Sequence, residues 1–216
     1  MIHALRPLRA ASAELEVKHS RFIALLERTP DEAAARAFVD ELQGRDPDAR
    51  HHCSAFIVSS PGQHDVEHSS DDGEPAGTAG RPMLEVLRGA GLGQVTVVVV
   101  RYFGGVLLGT GGLVRAYSDA VRLVLDGLPL ARVEPRELLA VESRHADAGA
   151  LEGALQSAGL VPVDREYRAT GVVLHLAVAD ADAAEAQVAA LSAGRARCTR
   201  LGPDEVEVPL GPSQQP

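Results

Sequence analysis

The run Arg101-Tyr102-Phe103-Gly104-Gly105-Val106-Leu107-Leu108-Gly109-Thr110-Gly111-Gly112-Leu113-Val114-Arg115 sets five glycines between two arginines. It falls between a strand-like run and a helix-like run, where free N–H groups and the positive end of a helix dipole can hold an anion. Arg101 and Arg115 would bracket that anion with fixed charge. No Gly-Lys-Ser/Thr ends the run, and the G-x-G-x-x-G spacing of dinucleotide folds is missing. The candidate phosphate site is therefore Arg101, Gly104, Gly105, Gly109, Thr110, Gly111, Gly112 and Arg115. The alternative is that the glycines serve only left-handed turns and close helix–strand packing.

A second run, Ser69-Ser70-Asp71-Asp72-Gly73-Glu74-Pro75-Ala76-Gly77-Thr78-Ala79-Gly80-Arg81-Pro82, is rich in hard oxygen donors. Asp71, Asp72 and Glu74 could share Mg²⁺, which would hold a phosphate against the glycine run. They could equally form a solvated turn, or pair with Arg101 or Arg115. Gly77 and Thr78 precede another helix start and extend the anion-binding surface. No cofactor beyond Mg²⁺ is indicated. A third run, Asp48-Ala49-Arg50-His51-His52-Cys53, leads into a strand. Neighbours in a strand point to opposite faces, so His52 is poorly placed to activate Cys53, which reads as a small core residue. His51 and His52, with Lys18, Ser20, Arg21 and Tyr102, complete the auxiliary binding candidates.

These residues need a scaffold, and 216 residues at 45% hydrophobic and 24% charged can build one. The formal charge of −9 excludes bulk polyanion binding, leaving only a local patch. Neither half is basic: thirteen Lys and Arg face seventeen Asp and Glu through Leu130, and eight face thirteen after it. Cys53 and Cys198 are too few and too far apart for a zinc site or a disulfide framework, so a reducing, cytoplasmic setting is expected. The opening MIHALRPLRAAS lacks the apolar run of a signal peptide, and the longest apolar stretch is far below the ~20 residues that span a bilayer.

Alternation predicts paired strands over 13–17 and 21–26, and Cys53 to Val58 reads as another strand. Thr29-Pro30 predicts a capped helix from Pro30 to Gln43. Residues 59–80 read as one long loop, and Arg81-Pro82 opens a short helix. Val95 to Val100 is apolar on both faces but for Thr96, and so is a central buried strand. A helix follows over 112–126. After Pro129 the rhythm changes: strand 138–141, helix 147–158, strands 161–168 and 171–178, helix 182–193 and strand 197–208 give β-α-β-β-α-β, the ferredoxin-like split unit. The expected organisation is α+β, with domains at 1–130 and 131–210 and a loose tail at 211–216.

Lys18-His19-Ser20-Arg21-Phe22-Ile23, DARHHCSAF from Asp48, SDDGEPAGTAGRP from Ser70 and VVVRYFGGVLLGTGGLVRAY from Val98 resemble the signature blocks of the IMPACT/YigZ family. The four blocks occur in order across about residues 14–126. The resemblance implies a ribosomal-protein/RNase-PH-like N-terminal domain, a C-terminal domain similar to domain V of elongation factor G, and contact with RNA, the ribosome or a protein partner in translation. In eukaryotic members, restraint of a translation-regulating kinase depends on a further N-terminal domain that this sequence lacks. Three readings stay open at this stage: an RNA- or nucleotide-phosphate-binding protein, a Mg²⁺-assisted enzyme acting on a small phosphorylated compound, and a pair of motifs that clasp one another while a protein partner is bound elsewhere.

Overall fold

The computed structural model describes residues 4–58 and 65–211. They divide into two compact units, one comprising Met1–Arg132 with Glu207–Pro216, the other Val133–Val206.

The first unit is built on five strands in the order β2-β3-β6-β4-β5, all neighbours antiparallel. These are β2 (Ala11–Val17), β3 (Ser20–Arg28), β4 (His51–Val58), β5 (Val66–Ser70) and β6 (Val95–Tyr102). A short β1 (Leu5–Pro7) precedes them and pairs with the chain at Leu130–Arg132. Helices α2 (Gly80–Gly89) and α3 (Thr110–Leu125) cover one face, packing Met83, Leu87, Tyr117 and Val121 against Phe22, Cys53, Val97 and Val99. Helix α1 (Glu32–Arg45) covers the other, where Phe38 and Leu42 meet Val98 and Val100. With apolar partners on both faces, β6 has no reason to alternate, and each buried valine contributes about 1.5–3 kcal/mol relative to exposure.

Two local expectations change. Helix α1 starts later than Pro30: its N-cap is Asp31, whose carboxylate accepts the Ala34 N–H at 2.8 Å, while the Thr29 hydroxyl bonds Thr96 in the core at 2.7 Å. The long loop at 59–80 contains β5, an edge strand hydrogen-bonded on one side to β4. Its sequence, Val-Glu-His-Ser-Ser, carries almost no apolar signal because an edge needs little cover; His68 stacks on Phe56 with ring centroids 5.0 Å apart. Pro61 and Gly62, also read as loop, lie outside the described residues.

The second unit follows the order β7 (Leu130–Ser143, starting in the first unit), α4 (His145–Ser157), β8 (Pro162–Arg168), β9 (Gly171–Val178), α5 (Ala181–Leu191) and β10 (Arg197–Pro209). Strand β9 lies between β7 and β8, and β10 pairs with β7. Leu151, Leu155, Ala184 and Val188 of the two helices pack on Leu139, Val141, Leu174 and Leu176. The chain therefore has a mixed α+β architecture in two regions. Its end differs from a domain running to residue 210, because Glu207 onward belongs to the first unit: the Leu210 N–H donates to the Leu130 carbonyl at 2.8 Å, and Glu207 pairs with Arg28. Of the tail expected at 211–216, all but Gly211 lies outside the described residues.

Candidate functional site at two helix starts

The acidic run folds back on the helix it precedes. Asp71 Oδ1 accepts the N–H groups of Ala79 at 3.0 Å and Gly80 at 2.9 Å, and its Oδ2 accepts that of Gly77 at 2.6 Å. Partial burial works to raise the Asp71 pKa, but the three amides outweigh it and hold the carboxyl below its ordinary range. The anion expected at the start of α2 is thus part of the chain. Thr78 is also spent internally, its hydroxyl donating to the Pro75 carbonyl at 2.7 Å.

The other two carboxylates have separate employment. Asp72 Oδ2 accepts the His52 N–H at 2.6 Å, while its carbonyl meets His51 Nδ1 at 2.8 Å. Glu74 is buried, and its Oε1 accepts Arg101 Nη1 at 2.5 Å and the Tyr117 hydroxyl at 2.8 Å, with His51 Nε2 at 4.0 Å. The shared Mg²⁺ site expected of Asp71, Asp72 and Glu74 is therefore corrected: the three carboxylates do not converge, and no group of three or more acidic, His or Cys side chains among the described residues could hold a metal.

Arg101 is corrected as well. It lies 6% exposed, with its guanidinium carbon 5.2 Å from the Phe22 ring centroid and 5.7 Å from that of Phe103. Its charge neutralises Glu74 in the interior instead of facing a ligand. The chain of contacts continues from Glu74 through the Tyr117 hydroxyl to Cys53 Sγ at 3.3 Å. Burial pushes the Cys53 pKa up to about 12; the Tyr117 hydrogen bond opposes this, and Glu74, Asp72 and Asp71 add to it. Burial likewise raises the Tyr117 hydroxyl, with Cys53 and Glu74 adding. Neither group is an activated nucleophile.

The glycine run divides in two. Gly104 is fixed: its N–H donates to Ser20 Oγ at 3.1 Å, and a Cβ there would sit 2.0 Å from the His19 carbonyl carbon. Ser20 is fully buried and also meets Arg101 Nη2 at 3.5 Å, so it ties the β2–β3 turn to the end of β6. Lys18 sits at that turn with a positive φ, Arg21 is held by both oxygens of Glu14, and the Tyr102 hydroxyl donates to Asp46. Gly105 and the residues beyond are largely exposed.

At α3 the backbone is open. Gly109 caps the helix with φ 73°, a left-handed conformation that glycine adopts without strain, and no side chain caps the first turn. The first helical bond joins the Leu113 N–H to the Gly109 carbonyl at 2.9 Å. The N–H groups of Thr110, Gly111 and Gly112 precede it and have no partner among the described residues. Arg115, one turn into the helix, is exposed and makes no ion pair among those residues. Of the expected phosphate site, the structure thus leaves Gly109, Thr110, Gly111 and Gly112 at an open helix start and Arg115 exposed on the same helix. It removes Arg101 and Gly104 to the interior.

Tyr117 and Cys53 were legible only as core. The available signal was Tyr117's position on the apolar face of α3, where a buried phenol requires a hydrogen-bond partner.

A model of the Impact N-terminal domain matches residues 18–125, from the β2–β3 turn to the end of α3. The IMPACT family member YigZ of Escherichia coli (strain K12) is 43% identical over 170 residues, covering 79% of this chain and 83% of that protein. The IMPACT family member YvyE of Bacillus subtilis (strain 168) is 40% identical over 149 residues, or 68% of this chain and 66% of that one. The crystal structure of a hypothetical protein superposes with a TM-score of 0.59 at 39% identity, covering 92% of this chain and 97% of the other. No helix among the described residues is long and apolar enough to cross a membrane.

Proposed function

The chain belongs to the IMPACT family, alongside bacterial members of the YigZ type, and from that premise we propose that it is a cytoplasmic binding protein of the translation apparatus. It takes a phosphate group of RNA at the open start of α3. The observation that carries this reading is the first turn, Thr110 to Gly112, uncapped among the described residues, with Arg115 exposed and without an ion pair among them on the same helix. Three converging N–H donors, a helix dipole and one guanidinium suit an oxyanion. A binding role is favoured over catalysis because the groups that could act on a substrate are engaged elsewhere. Asp71 caps α2, Glu74 pairs with Arg101, and Cys53 is buried with its thiol held neutral.

The second unit would add a further contact. Its element order and its strand order β10-β7-β9-β8 support a ferredoxin-like assignment of the kind found in domain V of elongation factor G. The antiparallel sheet of the first unit, covered by helices on both faces, is compatible with a ribosomal-protein/RNase-PH-like domain.

Anisotropy of a labelled single-stranded oligoribonucleotide, titrated with the full chain at several salt concentrations, tests the proposal. Binding should weaken linearly on a log–log salt plot, and Arg115→Ala should reduce the slope by about 0.7. No binding at about 100 mM salt, or a flat salt response, would remove RNA phosphate as the ligand.

A further inference from the structure

Between residues 133 and 206 the sequence has seven arginines, no lysine and twelve carboxylates, so chance would surround each arginine with acid. The fold does otherwise at one end of the second unit's sheet. Strand β7 ends there, the β8–β9 turn lies there, and β10 begins there. Arg144, Arg168, Arg195 and Arg197, four of the seven and as much as 53 positions apart, line one cavity of about 230 Å³ together with Thr170 and Gly171.

Their charge is only partly met. Asp147 takes Arg144 at 3.1 Å and lies 3.9 Å from Arg195, while Arg168 contacts Glu166 at 2.7 Å and Glu142 at 3.4 Å. The Arg197 side chain has no ion pair or hydrogen bond among the described residues. His145 Nε2 is bound to the Arg168 carbonyl at 3.0 Å, and His175 faces Glu166 at 3.9 Å. Each guanidinium carries five N–H donors, so three carboxylates leave most of them unfilled. Helix α4 also starts here with Arg144 as its N-cap and no side-chain cap. Its first bonds run from the Asp147 and Ala148 N–H groups to the Arg144 carbonyl. Planar guanidinium forks beside the positive end of a helix match the geometry and charge of a phosphate. The cavity is smaller than the ~300 Å³ at which pockets for whole drug-sized ligands begin. It therefore fits the phosphate end of a larger molecule.

We propose that this end of the second unit is a phosphate-binding site, with Arg144, Arg168, Arg195 and Arg197 as its cations. It goes beyond the α3 reading and stands if that reading fails. Amide NMR spectra of the full chain, titrated with inorganic phosphate at constant ionic strength, should show saturating shifts at His145, Thr170, Gly171 and Arg197. The double variant Arg195→Ala/Arg197→Ala should weaken the binding about tenfold, and Arg115→Ala should leave it unchanged. Arg197→Glu, altering a side chain without a described partner, should reproduce the loss with an unchanged melting temperature. Displacement of phosphate by a short oligouridylate would identify an RNA backbone as the source, and displacement by mononucleotides alone a small phosphorylated compound. No saturating shift at these amides, or equal affinity in the double variant, overturns the site.

Discussion

Helices α2 and α3 start from glycine-rich turns that look alike in sequence and differ in one respect. At α2 the turn is filled by Asp71, which takes three backbone N–H groups. At α3 no side chain among the described residues caps the first turn, and the N–H groups of Thr110, Gly111 and Gly112 have no partner among them. Glycine-rich turns before helices are therefore not ligand sites as such: a carboxylate within reach completes the turn from inside, and its absence leaves the donors for an external anion. The acidic run Asp71 to Glu74 serves the closed end twice, since Glu74 also holds Arg101.

The largest effect should come from the clasp behind the closed end. Arg101→Met leaves Glu74 buried with only Tyr117 and a distant His51, and should cost about 3–5 kcal/mol in urea unfolding. A loss under about 1 kcal/mol would mean that the pair does not organise this face. Next, Gly104→Ala should cost about 3 kcal/mol, because its Cβ would strike the His19 backbone. Gly105→Ala, at a positive φ with open space around it, should cost only about 1 kcal/mol. Equal costs would show that the two glycines are alike. At most comparable with the Gly104 effect, Asp71→Asn should cost about 1–3 kcal/mol at neutral pH. The folded state depresses the Asp71 pKa, so its contribution is present above the ordinary carboxylate range and is lost as pH falls through the folded value. The gap between wild type and variant should close in acid; a gap that widens there would contradict the capping role. Arg115→Ala should shift stability by less than about 0.5 kcal/mol while weakening anion binding.

Much of the scaffold was legible because its signals are local. Val95 to Val100 declares a strand buried on both faces, and the βαββαβ order can be read from caps and alternation. Strand β5 was hidden because Val66 to Ser70 draws its order from pairing with β4, which no local pattern reveals. At the candidate site, the sequence leaves open which of the two arginines pairs with the acidic run, and the structure gives Glu74 to Arg101. Arg101 and Arg115 bracket the same glycines, but Arg101 ends a strand facing the core and Arg115 sits on the exposed side of α3. That distinction depends on where Glu74, 27 positions from Arg101, is brought by the Asp71 turn. The same limit hid the arginine cluster, whose members meet only when the four strands of the second unit are aligned.

The most direct measurement compares the two helix starts in one sample: amide NMR shifts of the full chain during titration with inorganic phosphate. Saturating shifts are expected at Thr110, Gly111 and Gly112, lost in Arg115→Ala, with Gly77, Ala79 and Gly80 unmoved because Asp71 already occupies them. Unmoved amides at α3, or equal shifts at both helix starts, would contradict that expectation.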